Sequence, residues 1–568
     1  MQVDLFINNV RVYNHVQKCF ESGNVAILNG KFLYSGKKGA ENFQAKEVID
    51  GKGRFMVPGL IDIHLHIEST MVTPPTFSYG LIQNGVTTIV ADPHEMANVF
   101  GVRGIQEMIR MGEECVADIY YGIPSSVPAT AFETTGGAID IAEIDELVKE
   151  ERVICLGEVM DYMKVITEPN SKTNRIVRHV REQYPHLPIE GHCPKLMGTE
   201  LCSFIYAGID SDHTQQTISG MGERMRMGMF IELQEKSMTP EIMQYLIQND
   251  RSEHFCFVTD DVMPDTFVEK GHLNHLIKKA ITSGMKPEDA IYAGTVTPAK
   301  RMRMYDRGVI APNKIADFML LGDLVSFDIQ VVYKDGQKVY DRAEPYDQPV
   351  ITHAFPQDFY ESIKRGKVEA NDFVITAPIQ SGEVSCRVMM VADGTTFTKE
   401  LIDQVEVRDG QLEWGASKYC VIGVFERYGI NSNKAFGLIG GDTIKRGAIA
   451  STYSHDNHNL LVVGKNKQDA LLAANTIIEN QGGFCVVEDG KVLSFVKLPI
   501  GGILSEEPLE EIARQMKELR QAMKNLGYKH YNPIMSFSTH SLPVSPDLKI
   551  TDLGLVDVNK GEVVSMFV

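Results

Sequence analysis

Long apolar runs, a basic surplus and paired cysteines are all missing from this sequence, and each absence removes a class of function. No stretch of about 18 apolar residues occurs, so no membrane-spanning helix is expected. Lys and Arg number 56 against 75 Asp and Glu, a net charge of -19. A surface of that sign repels nucleic acid, whose recognition starts from a basic patch. The nine cysteines are scattered, odd in number and without a Cys-x-x-Cys pair. That argues for reduced thiols in a cytoplasmic protein and against a disulfide framework. Met1-Gln2-Val3-Asp4 does not open a basic-then-apolar leader. The single Trp carries no functional signal.

What is present is an ordinary soluble composition, 43% hydrophobic and 23% charged, over 568 residues. That length predicts two or three domains. Residues 1–57 read as short strands, such as Leu5–Ile7, Val10–Val12 and Val25–Leu28, separated by turns such as Asn29-Gly30-Lys31. Residues 58–310 alternate short apolar runs with helical stretches, the pattern of βα units on a parallel sheet. Residues 311–345 return to strands, with Lys334-Asp335-Gly336 as a hairpin turn. They would complete the sheet begun at the N-terminus. Pro345 to Pro356 reads as a linker. Residues 358–568 form a third region, with strands Phe373–Ala377, Val388–Ala392 and Tyr419–Phe425 and one long amphipathic helix, Pro508 to Gly527. Its Ile512, Met516, Leu519 and Met523 stripe reads as core packing. The expected architecture is α/β: a (β/α)8 barrel inserted in a small β-sandwich, plus a C-terminal α+β domain.

Eight strand candidates fall in the middle region: Leu60–Ile63, Thr87–Ala91, Asp118–Gly122, Val153–Leu156, Ile189–Gly191, Gly208–Asp210, Met229–Glu232 and Phe255–Thr259. Barrel enzymes carry their chemistry at the C-terminal ends of such strands. Here the first strand runs into His64-Leu65-His66. The two imidazoles lie two residues apart and so project to one side. The second is followed by Asp92-Pro93-His94-Glu95, the fourth by Glu158, the fifth by His192, the sixth by Asp212-His213 and the eighth by Asp260-Asp261. Any one of these could be a solvated loop residue. Six strand ends loaded with His, Asp or Glu point to one metal site.

Histidines and carboxylates at one barrel mouth suit a divalent transition metal. Two ions need an anionic bridge, for which Glu158 is the candidate. Asp260 would bind one ion and also take a proton. Water on such a centre ionises near neutral pH, and Asp260 could pass its proton to a leaving group. The reaction class is hydrolysis at an electrophilic carbon with a nitrogen leaving group.

His64-Leu65-His66, Glu158, His192, His213 and Asp260 resemble the ligand set of the amidohydrolase superfamily. Glu158 stands where many members carry a bridging lysine. The resemblance is closest to a bacterial branch that acts on the purine base adenine. It extends through His66-Ile67-Glu68-Ser69, Thr87 to Val99, Gly191 to Pro194, and in the third region Arg446 to Ser451 and Ser454 to Asn459. The resemblance implies conversion of adenine and water to hypoxanthine and ammonia in purine salvage. It also implies two divalent ions, manganese or iron with zinc possible, and a homo-oligomer of two or more copies. His64, His66, Glu158 and Asp260 would hold one ion; Glu158, His192 and His213 the other. Asp92, His94 and Glu68 would orient the purine or protonate a ring nitrogen, or else make loop hydrogen bonds. Ser69, His455 and His458 are further candidates for substrate contact, the two histidines alternatively forming a structural turn. Asp261 would orient a ligand or stay solvated. Glu426 to Asn433 departs from the pattern, which expects a Gly-rich, His-containing segment there.

Two other readings stay open. One is a hydrolase of another cyclic amidine or amide; the other is a non-catalytic scaffold that has lost its metals. The zinc deaminases with His-x-Glu and Pro-Cys-x-x-Cys are set aside, because Cys193-Pro194 has the reverse order and no second cysteine.

Overall fold

The computed structural model describes residues 1–248, 250–348, 351 and 353–568. The expected linker Pro345 to Pro356 therefore lies partly outside the described residues.

Alternating apolar residues build the first sheet. Val3, Leu5 and Ile7 are buried on strand Gln2–Asn14, and then Val10 and Val12. The alternation survives the odd step because of a bulge between Ile7 and Val10, where Asn9 takes the left-handed φ of 53°. Eight strands form this sheet, five from the N-terminus and three from Phe318–Leu321, Ile329–Lys334 and Gln337–Asp341. The two segments join where Phe55–Pro58 pairs antiparallel with Phe318–Leu321. Both predicted tight turns carry two left-handed residues, Asn29-Gly30 and Asp335-Gly336. The return to strand begins only at Phe318, since residues 311–317 hold no regular strand.

Between these segments runs a ring of parallel strands: β1 (Leu60–Leu65), β2 (Val86–Ala91), β3 (Asp118–Ile123), β4 (Val153–Val159), β5 (Ile189–Gly191), β6 (Ser211–Asp212), β7 (Phe230–Leu233) and β8 (Phe255–Phe257). β1 to β5 pair in order, as do β6 to β8. At the β5/β6 seam Gly191 N donates to Ser211 Oγ at 3.0 Å. At the other seam Asp260 N donates to His64 O at 3.1 Å. Ile61, Ile63, Val90, Cys155, Cys256 and Val258 pack with Ala299, Met302 and Met304 in one core cluster. Leu60, Leu65, Ile89 and Ile119 belong instead to the larger core. The sixth strand begins later than the expected Gly208–Asp210. Gly208, at φ 117°, ends the helix Gly198–Ala207 in a conformation that L side chains avoid.

The C-terminal domain is built on a nine-stranded sheet, with a separate three-stranded sheet over Leu548–Thr551, Gly554–Asp557 and Glu562–Val564. Alternate residues of strand Leu460–Gly464 point to opposite cores: Leu460 and Val462 to the side of helix Lys467–Glu479, Leu461 and Val463 to the side of helix Leu509–Asn525. The long helix buries Ile512, Met516, Leu519 and Met523, the predicted stripe. It also packs on helix Pro264–Lys270 of the barrel, where Arg520 Nε donates to Asp265 Oδ2 at 2.6 Å. The expected strand Phe373–Ala377 is not one. Its start closes a short 3-10 helix, Ala370–Phe373, held by a Glu369/Asp372 capping box.

Lys549, on strand Leu548–Thr551, is fully buried and donates to Thr396 O at 2.9 Å. Burial pushes its amine down to about 7. The unfolded amine keeps its proton to about pH 10.4, so the unfolded chain binds more protons between these values. Stability should therefore rise with pH from 7 to 10. Lys549→Met should flatten that slope, read as melting temperature against pH for both proteins.

Candidate metal centre

β1 delivers the first two ligands through an irregularity. Its register against β2 shifts between Asp62 and Leu65, gaining one residue. The extra residue changes the parity. Ile61 and Ile63 lie in the strand core, and His64 and His66 then share the opening, ring planes perpendicular and centroids 5.3 Å apart. Asp62, also fully buried, accepts Thr259 Oγ1 at 2.7 Å and ties β1 to the segment after β8.

Glu158, at the end of β4, lies at the centre. Its Oε2 is 2.9 Å from His192 Nδ1 and 3.2 Å from His213 Nε2. Its Oε1 is 3.5 Å from His66 Nε2. Asp260 Oδ1 is 3.3 Å from His66 Nε2 and 3.6 Å from His64 Nε2. Ligand bonds of about 2.1 Å at tetrahedral angles place donor atoms roughly 3.4 Å apart. The buried His64 Nε2 has no hydrogen-bond partner. The donor set thus fits a divalent cation better than it fits internal hydrogen bonding.

Tautomer and charge point the same way. His66 Nδ1 lies 3.0 Å from Asp92 O, so it carries the proton and leaves the Nε2 lone pair facing the carboxylates. Burial alone would lower the His66 pKa, and His94 adds to that. Asp260, Asp261 and Glu158 outweigh both and lift it to about 10. Burial would raise Glu158, but His213 and His192 hold it well below the usual carboxylate range. The pocket draws positive charge, which protons or a cation can supply.

The surrounding residues hold this geometry. Asp92 Oδ2 accepts Glu158 N at 2.9 Å. A Cβ on Gly157 would sit 2.1 Å from that same oxygen. Asp212 Oδ1 accepts Cys193 N at 3.0 Å, and its other oxygen meets Arg224 Nε at 2.8 Å, fixing the chain on either side of His192 and His213. Asp260 takes a left-handed φ of 57°, a strained conformation of the kind kept where function needs it. Asp261 accepts the Ser69 hydroxyl, so that hydroxyl is engaged. Glu68 is fully buried, with Oε1 accepting Met96 N at 3.3 Å and Oε2 unpartnered. Burial, with the Glu95 charge, raises it to about 7.

His94 lies beside the centre, its Nδ1 3.6 Å from Asp92 Oδ1 and 3.8 Å from Glu158 Oε1. From the C-terminal domain, His455 Nδ1 reaches Glu95 Oε1 at 2.5 Å, and His458 Nε2 contacts Glu95 Oε2. His455 Nε2 is buried and unpartnered. The divergent segment backs this loop: Arg427 donates to His458 O, and Tyr428 Oη donates to Asn457 O. All the sequence-predicted site residues therefore gather at one place, from barrel and C-terminal domain alike.

Three residues escaped sequence reasoning. Gln234, just past β7, donates from Nε2 to Asp260 Oδ2 at 2.5 Å; an amide carries no metal or acid–base signature. Glu232, fully buried in β7, lies 4.0 Å from His213 Nδ1. A lone Glu in the apolar run Phe-Ile-Glu-Leu was its only signal. Glu95 stood in a recognised motif, but its partners are more than 350 positions away in the chain.

Gly157→Ala should drive Asp92 off Glu158. We expect about 1–3 kcal/mol of lost stability and less bound metal, measured by thermal melting and elemental analysis of the purified protein.

Known proteins resemble this chain along its whole length. Residues 55–339 match the amidohydrolase family, and residues 395–562 match the adenine deaminase C-terminal domain. The chain is 57% identical to adenine deaminase 2 of Shouchella clausii, over 100% of this chain and 99% of the relative. It is 48% identical to an adenine deaminase of Clostridium perfringens, over 100% of each chain. Among solved structures, an adenine deaminase aligns at 15% identity and a TM-score of 0.44, over 60% of this chain and 100% of that one.

Proposed function

Since this chain belongs to the amidohydrolase family, and within it to the adenine deaminases, we infer that it hydrolyses adenine to hypoxanthine and ammonia. The observation that carries the reading is the shared carboxylate: the two oxygens of Glu158 face different imidazoles, His66 on one side and His192 and His213 on the other. We assign His64, His66, Glu158 and Asp260 to one divalent ion, and Glu158, His192 and His213 to a second, with manganese or iron as the cations. Such ions supply Lewis acidity and lower the pKa of water to near neutrality.

The chain's own groups do the rest. Asp260 takes the proton from the attacking water, because its Oδ1 faces the histidines while Gln234 holds Oδ2. The oxygen bonds to C6 of adenine, the C6–N6 bond breaks, and Asp260 returns its proton to the departing nitrogen. His94, beside Glu158 and with Asp92 against its Nδ1, gives a ring nitrogen the proton it takes up as C6 becomes tetrahedral and recovers one from the C6 hydroxyl as the carbonyl forms. His455 Nε2 and Glu68 Oε2 are buried polar atoms without partners in the protein; purine ring nitrogens would satisfy them. Among the described residues no helix is long and apolar enough to cross a membrane. We place the enzyme in cytoplasmic purine salvage.

Ammonia release from adenine, with manganese or ferrous iron supplied, is the direct test; no release would exclude the activity. Glu158→Ala should lose metal and nearly all turnover. Asp260→Asn should keep some metal yet lose about 10²–10⁴-fold in kcat. Wild-type turnover in Asp260→Asn would place the proton shuttle elsewhere.

A further inference from the structure

Glu95 is fully buried in the first turn of helix His94–Phe100. Three imidazoles meet its carboxylate: His94 Nε2 at 3.5 Å, His455 Nδ1 at 2.5 Å, and His458 Nε2. The first comes from the barrel and the other two from the C-terminal domain.

His458 has no atom left for a substrate. It is 0% exposed, its Nδ1 donates to Thr452 O at 3.2 Å, and its Nε2 is taken by Glu95. It also holds the left-handed φ of 51°, costly for a non-glycine residue. The loop around it is braced on several sides. Arg427, fully buried, donates to His458 O, to Ser362 Oγ at 2.7 Å and to Gly501 O at 2.7 Å. Asn457 donates from Nδ2 to Glu133 Oε2 at 3.2 Å and to Ser541 O at 3.0 Å. A rigid loop thus presents one nitrogen to Glu95.

His94 stands on the opposite side of Glu95, with its Nδ1 3.8 Å from Glu158 Oε1. The line Thr452 O, His458, Glu95, His94, Glu158 leads from the C-terminal sheet to the centre, hydrogen-bonded as far as Glu95 and carried past His94 by charge contacts of 3.5 and 3.8 Å. We propose that Glu95 and His458 are positioning residues for the deamination: the C-terminal domain sets, through them, the ring orientation in which His94 serves the purine. The inference rests on the adenine deaminase reading above. It predicts that the barrel site is completed from the other domain without that domain's His458 touching substrate.

The test is a double-mutant cycle on the full-length, metal-loaded enzyme, read as kcat, KM and metal per chain. Glu95→Gln and His458→Gln should each lower kcat about tenfold or more, with metal content unchanged and, in His458→Gln, KM within about threefold. In a His94→Asn background, neither should lower kcat further by more than about twofold. Losses that multiply in that background would overturn the inference, as would unchanged kcat in both single variants. Loss of one equivalent of metal in Glu95→Gln would overturn it too, by making Glu95 a ligand. If His94→Asn does not fold, His94→Gln serves as the background. A wild type that releases no ammonia from adenine sinks the functional reading, and this inference with it. Wild-type turnover with multiplying losses sinks the inference alone.

Discussion

Buried negative charge needs a positive partner, and the architecture follows from meeting that need at one point. Glu158 and Asp260 sit among His64, His66, His192 and His213, most of them nearly inaccessible to water. An isolated carboxylate in that position would be costly. Clustered imidazoles relieve part of the cost, and a divalent cation relieves more, because it satisfies lone pairs that face one another. Left without either, the cluster would be a source of instability; with a cation, it becomes a tool for ionising water.

The rest of the molecule keeps those donors in register. The bulge in β1 turns two histidines toward the opening, Gly157 lets Asp92 reach the backbone of Glu158, and Arg224 with Asp212 stiffens the chain beside His192 and His213. The long helix Leu509–Asn525 lies between the C-terminal sheet and helix Pro264–Lys270. Through Arg520 and Asp265 that helix joins the two domains at a second place, away from where the His455–His458 loop meets Glu95.

Much of this was legible from local pattern. A period of two put His64 and His66 on one side, and the strand-end rule collected Glu158, His192, His213 and Asp260 from distant parts of the chain. What the pattern cannot carry is whatever depends on a neighbour far along the chain. The bulge in β1 shows itself only through pairing with β2. Gln234 matters because Asp260 lies against it, and Glu95 because His455 and His458 arrive from another domain. Gly208-Ile209-Asp210 reads as a strand by composition, whereas Gly208 ends a helix and the strand begins at Ser211. Residues Phe373–Ala377 have strand composition, yet local side-chain capping by Glu369 and Asp372 wins.

The sheet shared by the segments before and after the barrel has a consequence for synthesis. Phe55–Pro58 finds its neighbour Phe318–Leu321 only after the whole barrel has left the ribosome. At about 5–20 residues per second, that leaves an unpaired strand edge for on the order of tens of seconds, the interval in which nascent chains stick to one another. Lys52 and Arg54 stand directly before that edge, two positive charges of the kind that discourage such pairing, carried by the very segment that must wait.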